Sequence, residues 1–208
     1  MKIDVNYKLY LVTDRDMLKN VDLYTAVEEA IKGGVTLVQL REKDITTQDF
    51  YKTAVEIKKI TDKYNVPLII NDRMDIALAA NTAGLHVGQD DMPCIIARKL
   101  LGNDRILGVS ARTLEEAIKA EKDGADYIGV GAVFPTSTKG DAKAVSIELL
   151  KKIKESVSIP VVAIGGINEK NASLLKTANI DGISVISSIL GKEDIRGATE
   201  TLKKLMVL

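Results

Sequence analysis

The chain has 208 residues, 46% of them hydrophobic, which is enough to bury a sizeable core and about the size of one domain. Lys+Arg and Asp+Glu both total 29, so no net basic field draws the chain to nucleic acid or to an anionic membrane, and any anion site must be assembled locally. The single cysteine, Cys94, excludes an internal disulfide and a cysteine-rich zinc site, and no stretch approaches the roughly 20 apolar residues of a membrane span.

The charged start Met1-Lys2-Ile3-Asp4-Val5-Asn6 does not read as a secretory signal. The expectation is a cytoplasmic protein with one domain over residues 1–208, no nucleic-acid or membrane partner, and an oligomeric state that the sequence leaves open. In chain order, short apolar and β-branched runs occur at Leu9 to Val12, Thr36 to Leu40, Leu68 to Ile70, Leu85 to Val87, Ile106 to Val109, Tyr127 to Val130, Val161 to Ile164 and Ile183 to Ile186. Between them, apolar residues spaced by three and four, as at Ala26 and Ile31, Phe50 through Ile60, Ala117 to Ala120 and Leu149 to Ile153, read as amphipathic helices.

Alternation of strand and helix implies parallel strands joined by crossover helices, and runs apolar on both faces suit a sheet covered on both sides. A weak repeat precedes the even-numbered strands: Lys32-Gly33-Gly34-Val35, Thr82-Ala83-Gly84-Leu85, Asp123-Gly124-Ala125-Asp126 and Asn179-Ile180-Asp181-Gly182. Each copy reads as a helix ending at or near glycine and turning into a strand. The pattern predicts an α/β chain folded as a minimal (β/α)8 TIM barrel. An open doubly wound sheet is the alternative, but no Gly-x-Gly-x-x-Gly opens the first helix.

A barrel brings the C-terminal ends of its strands to one face, and the polar stretches lie at those ends. Along Gln39-Leu40-Arg41-Glu42-Lys43 side chains alternate, so Gln39, Arg41 and Lys43 share one face and Leu40 and Glu42 the other. Ordinary surface charge is the competing reading. Asn71-Asp72 ends the third strand and Gly88-Gln89-Asp90-Asp91 follows the fourth, which makes Asp72 and Asp91 a candidate Mg2+ pair, to be completed by water and substrate phosphate. Helix capping is the other reading of these aspartates.

Gly165-Gly166-Ile167-Asn168 and Ile186-Ser187 follow the last two strands, where these barrels usually bind phosphate; tight turns capped by Asn168 or Ser187 are the alternative. Phe134-Pro135-Thr136-Ser137-Thr138-Lys139-Gly140 reads as a ligand-covering loop or as a plain Ser/Thr-rich connector. His86 inside a strand and Cys94 beside Pro93 show no partner in the sequence and are assigned no catalytic role.

Taken together, the chain resembles the thiamine phosphate synthase family over nearly its whole length. The matching stretches are Tyr10-Leu11-Val12-Thr13-Asp14, Gln39 to Lys43, Ile70-Asn71-Asp72-Arg73, Gly84 to Asp91, Gly108-Val109-Ser110, Gly129-Val130-Gly131 with Pro135 to Lys139, Ala163 to Ile167, and Val185-Ile186-Ser187. The resemblance implies a pyrophosphate-releasing transferase of thiamine biosynthesis. It would join a hydroxymethylpyrimidine diphosphate to a thiazole phosphate through a carbocation-like displacement assisted by Mg2+, with CO2 also released if the thiazole is carboxylated.

Carried onto matching positions, it implies that Gln39, Leu40, Arg41, Glu42, Lys43, Asn71, Ser110 and Lys139 hold the pyrimidine diphosphate. Asp72 and Asp91 would bind Mg2+, while Thr136, Ser137, Thr138, Gly166, Ile186 and Ser187 would hold the thiazole phosphate. Arg41, Lys43 and Lys139 would act on the departing diphosphate, and Ser110 on the pyrimidine ring. A thiazole tautomerase-like isomerase would need a histidine shortly after the fifth strand, where this chain reads Ser110-Ala111-Arg112-Thr113. A non-catalytic thiamine-phosphate binding protein would keep the phosphate loops without needing two metal carboxylates.

Overall fold

The computed structural model describes residues 4–136 and 144–206. Its strands are β1 (Leu9–Val12), β2 (Leu37–Leu40), β3 (Leu68–Asn71), β4 (Gly84–Val87), β5 (Ile106–Ala111), β6 (Tyr127–Gly131), β7 (Val161–Ile164) and β8 (Gly182–Val185). All pair in parallel in chain order, and β8 returns to β1, so the sheet closes into the expected barrel and the open-sheet alternative falls. The helices are α1 (Leu23–Gly33), α2 (Thr47–Lys63), α3 (Met74–Ala79), α4 (Cys94–Leu101), α5 (Leu114–Lys122), α6 (Ile147–Ser156), α7 (Ser187–Leu190) and α8 (Ile195–Met206), with a 3-10 segment over Ala172–Ala178 between β7 and β8.

Strand boundaries move by a residue or two from the sequence reading. β2 starts at Leu37 because Thr36 closes the turn before it: Thr36 donates its N–H to the Leu9 carbonyl, and its hydroxyl accepts from Leu9 N–H. β8 ends at Val185, which leaves Ile186 to begin α7. Helix starts follow ordinary capping chemistry, with Asp22, Thr46, Thr113 and Ser146 accepting first-turn N–H groups of α1, α2, α5 and α6.

The pleat divides the apolar side chains into two cores. Leu9, Leu11, Val38, Leu40, Leu85, Val130 and their equivalents face outward and pack under the helices. Tyr10, Val12, Leu37, Ile69, Ile106, Tyr127 and Val162 fill the barrel. The Tyr127 ring claims its place through glycine, since a Cβ at Gly108 would lie 2.2 Å from Tyr127 Cζ.

The repeat is real but its glycines do not share one job. Gly34 and Gly124 hold the left-handed position that ends a helix, with φ of 113° and 97°, whereas in the other two copies Asn81 and Asn179 do so, each with φ of 50°. Gly84 and Gly182 instead lie within strands, against the Ile106 and Tyr7 carbonyls. What the four copies share is a hydrogen bond. Thr36, Ala83, Asp126 and Asp181 each donate N–H to a carbonyl at the start of the preceding strand, of Leu9, Leu68, Leu107 and Val161 respectively.

In three of the four copies the side chain returns the bond. The Thr36 hydroxyl and the Asp126 and Asp181 carboxylates accept from the N–H groups of Leu9, Leu107 and Val161. Asp126 also receives Arg98 at 2.6 Å and Asp181 receives Lys154 at 2.7 Å, which ties α4 and α6 to the barrel rim opposite the strand C-termini. Asp126→Ala is expected to lower unfolding stability by about 1–3 kcal/mol in urea titrations, because it strands the Leu107 N–H and the Arg98 charge. A loss below about 0.5 kcal/mol, the ordinary surface range, would show that this clasp contributes nothing.

Candidate active site

At the C-terminal face of the barrel a cavity of about 310 Å³ opens between the strand ends. Its wall from β2 is built as alternation predicts: Gln39, Arg41 and Lys43 line it, and Leu40 and Glu42 do not. Leu40 is fully buried in the outer core. Glu42 turns away to Arg15, whose Nε lies 2.7 Å and 2.9 Å from its two carboxylate oxygens. Burial pushes the Glu42 carboxyl above its ordinary range, against the pull of the Arg15 charge.

The β1 end holds this segment in place. The Thr13 hydroxyl, fully buried, accepts the Arg41 N–H at 2.9 Å, while Asp14 pairs with the Arg41 guanidinium at 3.4 Å. Arg41 is thereby fixed in the lining that it shares with Lys43. Arg112 after β5, which the sequence reading left without a role, adds a third cation to the lining.

Asp72 and Asp91 meet beside Lys43, whose Nζ lies 3.0 Å from Asp72 Oδ2. Neither aspartate caps a helix. Arg73 and Pro93 occupy the N-cap positions of α3 and α4, and no side-chain bond is made there. Asp72 instead sits at φ 60°, a left-handed conformation uncommon outside glycine, held by its N–H on the His86 carbonyl at 2.8 Å. Asp91 accepts the Gly88 N–H at 2.7 Å.

The two carboxyls are close enough to share a proton, and their surroundings push them apart in acidity. Burial alone would raise Asp72, but hydrogen bonds from Lys43 and Asp91 and the Lys43 charge bring it below its ordinary range. Asp91 rises, first through burial and then through contact with Asp72. Of the pair, Asp72 is therefore the first to ionise and Asp91 the last. This acidic oxygen pair fits Mg2+, which commonly takes one or two protein carboxylates and completes its shell with water and phosphate. Among the described residues there is no cluster of three or more potential ligands.

The opposite wall comes from the last strands. Gly165 and Gly166 turn with φ of 100° and 66°, and a Cβ at Gly166 would lie 2.4 Å from the Pro135 carbonyl, so the glycines let the β6 segment cross over them. Asn168 and Asn171 both donate to the Gly166 carbonyl, at 3.2 Å and 2.9 Å, and Ser188 bonds the Ile167 carbonyl. Ser187 does not cap α7; Ile186 holds that position without a side-chain bond. Gly166, Ile186, Ser187 and Thr136 all line the cavity. Ser137, Thr138 and Lys139 lie outside the described residues.

Asn71 and Ser110 face the same cavity, as do Tyr10, His86 and Tyr127, which sequence reasoning did not assign to it. Their inward positions in the side-chain alternation of each strand were the available signal. Ser184 was also missed: its hydroxyl is buried in the cavity wall and has no hydrogen-bond partner among the described residues. His86 is far from idle, since Nδ1 meets the Tyr127 hydroxyl and Nε2 meets Ser110 Oγ, both at 2.9 Å. Cys94 remains structural, its thiol pushed up to about 11 by burial.

These features define a (β/α)8 barrel whose C-terminal face joins cations and an acidic pair to a glycine-rich turn. The family model described as thiamine monophosphate synthase matches residues 9–189. A thiamine-phosphate synthase of Clostridium tetani is 64% identical over 194 residues, 93% of each chain. One from Ruminiclostridium cellulolyticum is 59% identical across 100% of this chain and 99% of its own. The solved thiamine phosphate pyrophosphorylase of Pyrococcus furiosus superimposes with a TM-score of 0.90 at 43% identity, covering 97% of this chain and 96% of its own. The chain belongs to the thiamine monophosphate synthase family and is a transferase.

The acidic pair gives a stability test with a defined sign. A raised Asp91 pKa means that the folded state holds its proton more tightly; that stabilisation is present in acid and lost as pH rises through the raised value. Asp91→Asn keeps an acceptor for Gly88 and supplies a permanent hydrogen toward Asp72. In chelator near about pH 7 it should be more stable than the parent, by under about 1 kcal/mol for so exposed a group, and the gap should close toward about pH 4. A variant less stable than the parent at neutral pH would place the shared proton elsewhere.

Proposed function

We propose that this site condenses a hydroxymethylpyrimidine diphosphate with a thiazole phosphate, forming thiamine phosphate and releasing pyrophosphate. The observation that carries this reading is the arrangement of a single cavity. Arg41, Lys43, Asp72 and Asp91 crowd one side, the Gly165–Gly166 turn and Ile186–Ser187 form the other, and Asn71 and Ser110 lie in its lining. Two phosphorylated ligands then have separate anchors with room between them for a bond to form. The names borne by relatives at 52–64% identity support the same reaction.

In the proposed step the bond from the methylene carbon to the diphosphate oxygen breaks with substantial carbocation character, and pyrophosphate leaves with the electron pair. The lone pair of the thiazole nitrogen forms the new carbon–nitrogen bond, and the ring becomes a cation. No proton has to move. A carboxylated thiazole would in addition lose CO2, and the ring carbon that keeps the electron pair would then take a proton from water. Arg41 and Lys43 neutralise charge growing on the diphosphate, and Asn71 with Ser110 orients the pyrimidine. Lys139 is assigned to the diphosphate from sequence alone. Gln39 reaches the ligand mainly through the tyrosines it supports, and Leu40 and Glu42 act by fixing the backbone between the two cations.

Asp72 and Asp91 would hold Mg2+. When bound, the ion would offset diphosphate charge beyond what the side chains supply. Thr136, Gly166, Ile186 and Ser187 take the thiazole phosphate, with Ser137 and Thr138 assigned there from sequence.

Purified protein given both phosphorylated substrates and Mg2+ should form the condensed product with one pyrophosphate per turnover. No product across a range of pH and Mg2+ concentration would overturn the proposal, and an isomerised thiazole as sole product would establish the isomerase instead. Asp91→Ala should keep its circular dichroism spectrum yet need at least about tenfold more Mg2+ for half-maximal rate. An unchanged Mg2+ dependence would remove Asp91 from the metal site.

A further inference from the structure

Five side chains from five strands form one continuous hydrogen-bonded line across the floor of the cavity. Gln39 Nε2 donates to the Tyr10 hydroxyl at 2.6 Å, and that oxygen lies 2.8 Å from the Tyr127 hydroxyl. Tyr127 continues to His86 Nδ1, and His86 Nε2 continues to Ser110 Oγ, each at 2.9 Å. Tyr10 and Tyr127 are essentially inaccessible to solvent, at 2% and 0% exposure.

Such a line has a direction, because each member has a fixed supply of hydrogens. The Gln39 nitrogen can only donate, so Tyr10 accepts there. Burial keeps both phenols protonated at any ordinary pH, raising them well above their usual value, so each has one hydrogen to place. If Tyr127 donated to Tyr10, the Tyr10 hydrogen would be stranded in the apolar barrel interior, a loss of about 1–3 kcal/mol. Tyr10 therefore donates to Tyr127, and Tyr127 donates to His86 Nδ1. A ring that accepts at Nδ1 carries its hydrogen at Nε2, which it donates to Ser110.

We propose that this line holds His86 as the neutral Nε2–H tautomer and makes Ser110 a hydrogen-bond donor to the ligand. With its oxygen engaged by His86, Ser110 offers the cavity its hydrogen. The group it favours is an acceptor with a free lone pair, such as an unprotonated aromatic ring nitrogen, because a ligand presenting N–H there leaves the Ser110 hydrogen without a partner. This selection rests on the aminopyrimidine reading given above; the direction of the line does not. His86 is a positioning residue, acting on the ligand through Ser110.

The chain has a single histidine, so [15N]histidine labelling reports His86 alone. A long-range 1H–15N correlation on the substrate-free protein should show a protonated Nε2 and a bare Nδ1. The Nδ1–H form, or a mixture of tautomers, would overturn the proposal. Gln39→Glu replaces the donor at the head of the line with an acceptor and should reverse it, moving the hydrogen to Nδ1. It should also lower kcat/KM for the pyrimidine diphosphate by about tenfold or more, the kinetic equivalent of one hydrogen bond. A folded Gln39→Glu protein that keeps Nε2–H would also overturn it, and if that variant fails to fold the parent spectrum still decides. A spectrum as expected without condensation would sink the synthase reading alone; condensation with the wrong tautomer would sink the direction of the line alone.

Discussion

The hydrogen bond between the Tyr10 and Tyr127 hydroxyls, closed at the centre of the barrel, determines what the floor of the site can be. The layer around it is apolar, built from Val12, Leu37, Ile69, Ile106 and Val162. A phenol left unpaired in such surroundings would cost about 1–3 kcal/mol, so a polar ring here requires a second, and the second requires a third. Gln39 supplies one partner from β2, the neighbour of β1, and His86 supplies the other from β4, with β5 between it and β6. Space is made by omission: Gly108 gives way to the Tyr127 ring, and a Cβ at Gly129 would press on His86 Cε1 at 3.3 Å. The result is a polar floor whose members cannot turn independently.

That floor and the acidic pair share an anchor. The His86 ring holds Tyr127 and Ser110, while its carbonyl accepts the Asp72 N–H in the turn that leaves β3. A left-handed φ at a residue other than glycine costs about 1 kcal/mol or more and persists only where neighbours over-determine it. Here β3–β4 pairing does so, with Asn71 opposite His86 in the ladder. Displacing β4 would disturb the placement of Asp72 and of Ser110 together. The metal-fitting end and the ring-fitting wall of the cavity are thus set by one register.

Much of the fold was legible because it rests on local periodicity. Apolar runs alternating with amphipathic segments leave few arrangements other than a parallel sheet with helices outside, and a glycine-poor first turn argues against the doubly wound form. The two-residue alternation also separated Arg41 and Lys43 from Leu40 and Glu42, even though β2 ends at Leu40. Asp72 and Asp91 were open between capping and metal binding because the sequence around them suits both; Arg73 and Pro93 in the cap positions remove only the capping reading. Tyr10, Tyr127 and His86 stayed hidden for a different reason. Each looks like an ordinary strand residue, and its partner is more than 20 residues away on another strand. The repeat misled at its glycines, since a glycine near a helix end also serves where another backbone comes close.

The engagement of both His86 nitrogens bears on the kind of chemistry the site can host. A histidine that moves protons must break one bond to make another, and at His86 each break costs a partner, the buried Tyr127 on one side and the half-buried Ser110 on the other. The ring is built to hold, not to exchange. The proposed condensation needs no exchange, because the attacking nitrogen brings a lone pair and the leaving group departs as an anion. What such a reaction needs is charge placed in advance on the leaving side and a ring held still on the other. Arg41 and Lys43, pinned by Asp14 and Asp72, meet the first need, and the tyrosine-supported Ser110 meets the second. A site that had put a free imidazole in place of this locked one would gain a base for which the bond change has no use.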